Sequence, residues 1–334
     1  MRKRTLHTLF FAAAFLLGGS LFAFLVWKSG PTVIWQSLVT FGVVPFFGFL
    51  TLSLINFTLY SIRWRMIIND IVLPSQRLPL RRVFFHRMSG YAAGYLTPAS
   101  QVAGEPIRVA MLRSENIPLK EATSAVVLDL AFEIAAFVVF VVSGVALAVA
   151  SGIEGGRALQ GAGIFTGVLI IFLVLFFWTT ANGKGFFSGA FRALRLDRVV
   201  RLQRAYHWLV DTEKMMTKFF AGKPLVLVSV VLLSVVVVSF KAIEALYIAH
   251  FFGASLSLRD AFLLSTLPGV VLLLPIPAGL GVYEGTNAAT FVLLGLSLNA
   301  VAYTMIIRLR DFVFIGIGVI HAVRRGEKLV NRSA

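Results

Sequence analysis

Cysteine is absent from all 334 residues. That excludes disulfides, thiolate metal sites and cysteine nucleophiles. Histidine is scarce, and its five positions (7, 86, 207, 250 and 321) include no pair at metal-ligand spacing. Charged residues are only 14% of the chain, and 15 acids face 31 lysines and arginines. No P-loop, HExxH, GxSxG or DxD sequence occurs. GLGVYEG resembles a dinucleotide loop, but Glu284 stands where the last glycine belongs and no strand precedes it. No cofactor, metal or catalytic residue is expected. The chain reads more as a transporter than as an enzyme, with no catalytic motif found.

What the chain does have is apolar surface. It is 58% hydrophobic, with 31 phenylalanines. That composition is an integral membrane protein's. The formal charge of +16 therefore reads as loop charge on one side of a membrane, not as a nucleic-acid footprint. The expected class is an all-α polytopic membrane protein.

Apolar runs of about 20 residues, long enough to cross a bilayer, fall near 8–27, 39–62, 121–150, 158–180, 224–250 and 299–322. The first follows a basic N-terminus, has no small-x-small cleavage site before Lys28, and reads as a retained signal anchor. Two more apolar pairs, 83–113 and 260–297, have short arms and a broken middle. They read as re-entrant hairpins. The expected plan is then an N-terminal anchor and outer loop (1–38), a first repeat (39–180), a basic cytoplasmic segment (181–223), a second repeat (224–322) and a basic tail (323–334).

Charge orients this plan. Of 31 lysines and arginines, 25 fall in segments assigned to the cytoplasmic side; Lys28, Arg157 and Arg259 fall outside, and Lys241, Arg308 and Arg310 lie within spans. The asymmetry places both termini in the cytoplasm, with the inner membrane as location. In the segment 181–223, Arg192, Arg195, Arg198, Arg201 and Arg204 recur every third residue, beside an apolar stripe of Val199, Leu202, Tyr206, Leu209, Met216 and Phe220. The reading is a basic amphipathic helix lying on anionic headgroups, with plain orientation signalling left open.

The two hairpin breaks resemble each other. LTPASQVAGE has Pro98, Gly104 and Glu105; LPIPAGLGVYE has Pro275, Pro277, Gly279, Gly281 and Glu284. In each, Pro-Ala is followed by a glutamate seven residues after the proline. Proline opens the helix ladder, and unpaired backbone in hydrocarbon costs several kcal/mol. Such breaks belong against protein or a polar cavity. Shifting the chain by about 179 residues overlays Pro98 on Pro277 and Glu105 on Glu284. With the topology above, the hairpins enter from opposite sides, an inverted-topology repeat.

Charges inside the spans are the candidate site. Each costs at least about 2.5–3.5 kcal/mol at mid-bilayer if unpaired. Glu105 and Arg108 lie on the first hairpin; Asp129 and Glu133 share a face of the third span; Glu284 ends the second break, and Arg308, Arg310 and Asp311 are mid-span in the last helix. A packing network of ion pairs and a substrate or proton pathway both remain open. Lys241 and Glu244 are expected to be structural, reaching toward the outer interface.

The sequences LTPASQVAGEPIRVAMLR, AVVLDLAFE, IPAGLGVYEG and MIIRLRD, with IRWR ending the second span, are similar to the flippase-like family. That family is named for the membrane region of lysylphosphatidylglycerol synthase. Its stand-alone relatives include hopanoid-cluster membrane proteins. The likeness runs from about 39 to 322. The family often has Glu-Arg where this chain has Asp129-Leu130. With the chain ending at Ala334 in a short basic tail, the resemblance implies lipid translocation rather than lysyl transfer. Glu105, Arg108, Glu284 and Arg308 would then contact a lipid headgroup, and Asp129 and Asp311 would set local charge or carry a proton. The partners expected are a phospholipid or other polar lipid and a lipid-synthesis enzyme. A membrane-embedded transferase, or an accessory subunit of a lipid-modifying pathway, is the alternative.

Overall fold

The structure, a computed structural model, describes residue 27 and residues 30–96, 104–152, 156–269, 282–296 and 299–332. The expected anchor at 8–27 lies almost wholly outside these residues. So do Pro98, Pro275, Pro277, Gly279 and Gly281. Every regular element among the described residues is helical, as backbone in a membrane requires when no barrel closes.

The first half holds α1 (Pro31–Phe41), α2 (Val43–Ile71), α3 (Leu80–Leu96), α4 (Gly104–Arg113) and α5 (Leu119–Ala150). Next come α6 (Gly156–Ala181), α7 (Phe186–Ala193) and α8 (Gln203–Ala221). The second half is α9 (Pro224–Phe251), α10 (Leu258–Thr266), α11 (Val282–Leu293) and α12 (Ala300–Arg332). The starts follow local chemistry. Pro224 opens α9 at a position where no N–H is needed. Ser257 caps α10 by accepting from the Asp260 N–H at 3.0 Å. Asn299 caps α12 by accepting from Val301 at 2.9 Å.

Against six expected spans, three described helices are long and apolar enough to cross a membrane: α2, α5 and α9. The pair Thr166–Ala181 and Phe186–Ala193, bent by 105°, would make a fourth. The 33-residue α12 is long enough but carries Arg308, Arg310 and Asp311 in its middle, so composition alone does not mark it. The most apolar stretch of α5 is 56% buried, against 22% for those of α2 and α9. Thus α5 is the central helix, while α2 and α9 turn outward faces such as Phe47, Ile55, Leu232 and Val235 to surroundings that must be lipid.

Apolar clusters bracket a polar layer along α2. Phe49 packs with Ile248, Leu264, Phe291 and Ile306. Trp64 and Ile68 pack with Leu128, Phe132, Met216 and Phe219. Phe49 and Trp64 are about 22 Å apart at helical rise, and Ser53, Asn56, Tyr60 and Arg63 lie between them.

The basic segment is not one helix. It is α7, two short 3₁₀ turns at Leu196–Arg198 and Val200–Leu202, and α8. The left-handed backbone at Arg195 (φ 57°) breaks it. All five arginines of the series are exposed. Of the expected stripe, Met216 is buried in the core beside Phe132 and Phe220 packs against it, while Val199 stays exposed. Asp211, on α8, accepts from Lys120 at 2.6 Å and from Lys214; these hydrogen bonds hold its carboxyl below the usual range.

Helices α3 and α4 meet through backbone. A Cβ on Gly104 would stand 2.3 Å from the Gly90 carbonyl oxygen. Backbone cannot swing away as a side chain can. Gly104→Ala is therefore expected to destabilise the folded protein by about 1–3 kcal/mol, seen as a lower melting temperature in detergent. An unchanged melting temperature would show that α3 and α4 do not meet this closely.

Candidate functional site

Three helices bring guanidinium groups to one acid. Asp129 of α5 is fully buried. Its Oδ1 accepts from Arg63 Nε of α2 at 2.9 Å, and its Oδ2 from Arg87 of α3 at 2.7 Å. Arg108 of α4 bonds the same Oδ2 and reaches Glu105 at 2.8 Å. Glu133, one turn along α5, pairs with Arg63 at 3.0 Å and with Arg87. The Arg63 and Arg87 guanidiniums lie over the Tyr60 ring, at 5.2 and 4.8 Å. That of Arg108 lies over Trp64 at 4.0 Å. Three arginines thus meet three carboxylates, and each cation also has an aromatic face. Buried charges persist only with this degree of compensation.

A second set sits on α12. Arg308 pairs with Glu284 of α11 at 2.8 Å and bonds the Tyr95 hydroxyl. Arg310 pairs with Glu244 of α9 at 2.9 Å and with its neighbour Asp311 at 2.8 Å. Tyr91 and Tyr95 of α3 donate to the two Asp311 oxygens, at 2.8 and 3.0 Å. Ser53 of α2 donates to Glu244 at 2.8 Å. Spacing explains α3's part: tyrosines four apart share one helix face.

Both sets open on one cavity of about 270 Å³. Its walls include Arg87, Glu105, Arg108 and Glu133 from the first set, and Arg308, Arg310 and Asp311 from the second. Asp129 and Glu284 stand behind these, each bound to a wall arginine. Ser53, Tyr60, Tyr283, Tyr303 and Ser265 add polar and aromatic surface. Such a cavity can hold a small charged group in a membrane interior and let its hydrogen-bond partners change.

The expected residues are brought together around one cavity. Glu284 pairs with Arg308 and Glu105 with Arg108. Asp129 and Glu133 are matched by Arg63 and Arg87. The sequence counts those two among the charges of the cytoplasmic side, yet Arg63 is 0% exposed and Arg87 7%. Setting Arg63, Arg87 and Arg108 aside leaves 22 basic residues facing three, so the charge asymmetry keeps its sign. The signal for Arg63 was present: Met66, Ile67 and Ile68 continue the apolar pattern, and no helix breaker follows before Pro74. Lys241 and Glu244 line the cavity rather than reaching an interface. Leu130, standing where the family often has arginine, also lines it.

Among the described residues, no cluster of His, Cys, Asp or Glu has the geometry to hold a metal ion. No curated protein and no solved structure matches the chain. One family model, the lysylphosphatidylglycerol synthase TM region, matches residues 11–318, and the chain is an integral membrane protein belonging to that family.

Proposed function

We propose that the protein is a lipid translocator, carrying the charged headgroup of a lipid between leaflets through the cavity while the acyl chains stay in the bilayer. The observation that carries this reading is the cavity itself: one polar space walled by two charge sets, one on each half of the chain. A lone charge at mid-bilayer costs several kcal/mol. A path lined with exchangeable ion pairs lowers that barrier, which is what moving a headgroup demands.

The packing supports an inverted repeat with two re-entrant hairpins. In this reading α3 and α4 form the first hairpin, and α10 and α11 the second. Arm α3 packs on α12, the last helix of the other half, and arm α10 packs on α5, the last helix of the first half. Both contacts use glycine. A Cβ on Gly318 would meet Met88 O at 2.2 Å, and one on Gly144 would meet Thr266 Oγ1 at 2.3 Å. Each hairpin is thus seated on the opposite half, so rocking one half against the other opens the cavity to alternate sides. The charge asymmetry supports cytoplasmic termini in an inner membrane. The exposed Arg192, Arg195, Arg198, Arg201 and Arg204 would hold anionic headgroups at that surface.

Reconstitution tests the reading. Leaflet-resolved assays of labelled polar lipids in proteoliposomes should show faster transbilayer movement than in protein-free vesicles. Glu284→Gln, which removes the carboxylate beside Arg308, should slow it by about tenfold, the value of one hydrogen bond to a charged group. If the wild-type protein moved no lipid faster than empty vesicles, the proposal would fail.

A further inference from the structure

Away from the cavity, three segments meet at another buried cluster. Glu115, in the turn between α4 and α5, has a side chain only 6% exposed. Its carboxylate accepts from Arg82 of α3 at 2.7 Å, from His86 Nε2 at 3.1 Å and from Arg325 near the far end of α12. Arg325 also donates to Ser114, to Oγ at 3.1 Å and to the carbonyl at 3.2 Å. One turn nearer the cavity, the Ser89 hydroxyl of α3 lies 2.9 Å from His321 Nδ1 and 3.2 Å from Gly318 O. The His86 and His321 rings are 5.4 Å apart. The cluster fastens the end of α12 to α3 and to the α4–α5 turn. Farther along the same two helices, Tyr91 and Phe314 line the cavity, with ring centroids 6.2 Å apart.

A proton would weaken this fastening. A carboxylate only accepts, so His86 presents Nε2–H to Glu115. In the neutral ring Nδ1 is then a bare lone pair, and among the described residues it has no hydrogen-bond partner. His86 is 1% exposed. An imidazolium there would hold a buried N–H with nothing to accept it. It would also add charge where Arg82 and Arg325 already outnumber Glu115. Glu115, His321 and Arg325 are the titratable groups that face His86 from the turn and from α12, and Arg82 stands on its own helix.

We propose that His86 makes this cluster a pH-sensitive latch: neutral, it keeps the end of α12 docked on α3 and the α4–α5 turn, and its protonation releases that end. The docked state excludes a proton that the undocked state binds as an ordinary imidazole, at about pH 6.5. Docking is therefore strongest above that pH and is lost as pH falls through it. One such proton raises the ratio of undocked to docked protein about tenfold between pH 7.5 and 5.5. Release loosens the cavity wall at this end, whatever the cavity carries.

Amide hydrogen exchange of the full chain in detergent tests the latch without requiring any lipid to cross a bilayer. Rates are corrected for the intrinsic pH dependence of exchange, and the amides of α9 serve as the internal control. In the wild-type protein, amides of 114–117 and 318–325 are expected to exchange about tenfold faster at pH 5.5 than at pH 7.5, with α9 unchanged. His86→Gln keeps a donor for Glu115 but cannot titrate, so the difference between the two pH values should disappear. His321→Gln should retain it. Arg325→Gln, which removes the fork and leaves the imidazole, should raise exchange at both pH values. Melting temperatures at pH 7.5 show whether each variant is folded. Wild-type exchange that does not change with pH would overturn the proposal, as would a full pH response in folded His86→Gln. A response abolished by His321→Gln instead would overturn the assignment to His86.

Discussion

Asp129→Asn is expected to cost about 3–5 kcal/mol of stability, the penalty for removing one partner of a buried ion pair. Asp129 is 0% exposed and takes hydrogen bonds from Arg63, Arg87 and Arg108. Asparagine keeps the shape and removes the charge, so three guanidiniums would share only Glu133 and Glu105. Water cannot replace the lost charge at a site with no exposure. Denaturation in detergent, followed by tryptophan fluorescence, reads the effect. The double variant Asp129→Asn with Arg87→Gln should cost less than the two single losses summed, because each single change leaves its partner unpaired. A loss below about 1 kcal/mol for Asp129→Asn would be the size of an exposed ion pair and would contradict the buried network.

Arg308→Ala is expected to reduce lipid movement more than any other single change on α12. Arg308 pairs with Glu284 and bonds Tyr95, which itself donates to Asp311. It therefore ties α3 and α11 to α12. Without it, Glu284, Glu244 and Asp311 would face Arg310 and Lys241 alone, and the wall would turn acidic. Truncating one member of a buried, hydrogen-bonded charge pair costs about 2–5 kcal/mol, which at the transport barrier is more than tenfold in rate. Arg308→Lys keeps the charge but not the fork, so partial recovery is expected. Rates per folded protein separate this loss from misfolding. Wild-type movement by Arg308→Ala would remove Arg308 from the path.

The parts of this architecture legible in the sequence are those written in continuous patterns. Long apolar runs mark α2, α5 and α9. Glu284 stands near enough to α12 in the chain to suggest Arg308 as its partner. What was not legible depends on where helices end and which faces meet. Arg63 looks like loop charge because it begins a basic run, yet the helix carries it inward and ends at Ile71. Arg87 reaches Asp129 across 42 positions of sequence, and Tyr91 reaches Asp311 across 220. Local spacing cannot encode such contacts. In α12 the charges Arg308, Arg310 and Asp311 are covered by protein partners that the sequence does not show.

The chain's lack of cysteine makes the decisive measurement direct. Ser265 lines the cavity, and its hydroxyl donates only along its own helix, to Ala261 O at 2.7 Å. Ser265→Cys therefore places a single thiol on the wall and leaves both charge sets in place. Proteoliposomes of this variant are assayed for leaflet-resolved lipid movement before and after treatment with a bulky thiol reagent, with mass spectrometry confirming complete modification. If the cavity is the path, modified Ser265→Cys stops moving lipid and the treated cysteine-free parent is unaffected. Undiminished lipid movement by the fully modified variant would mean that the headgroup travels elsewhere.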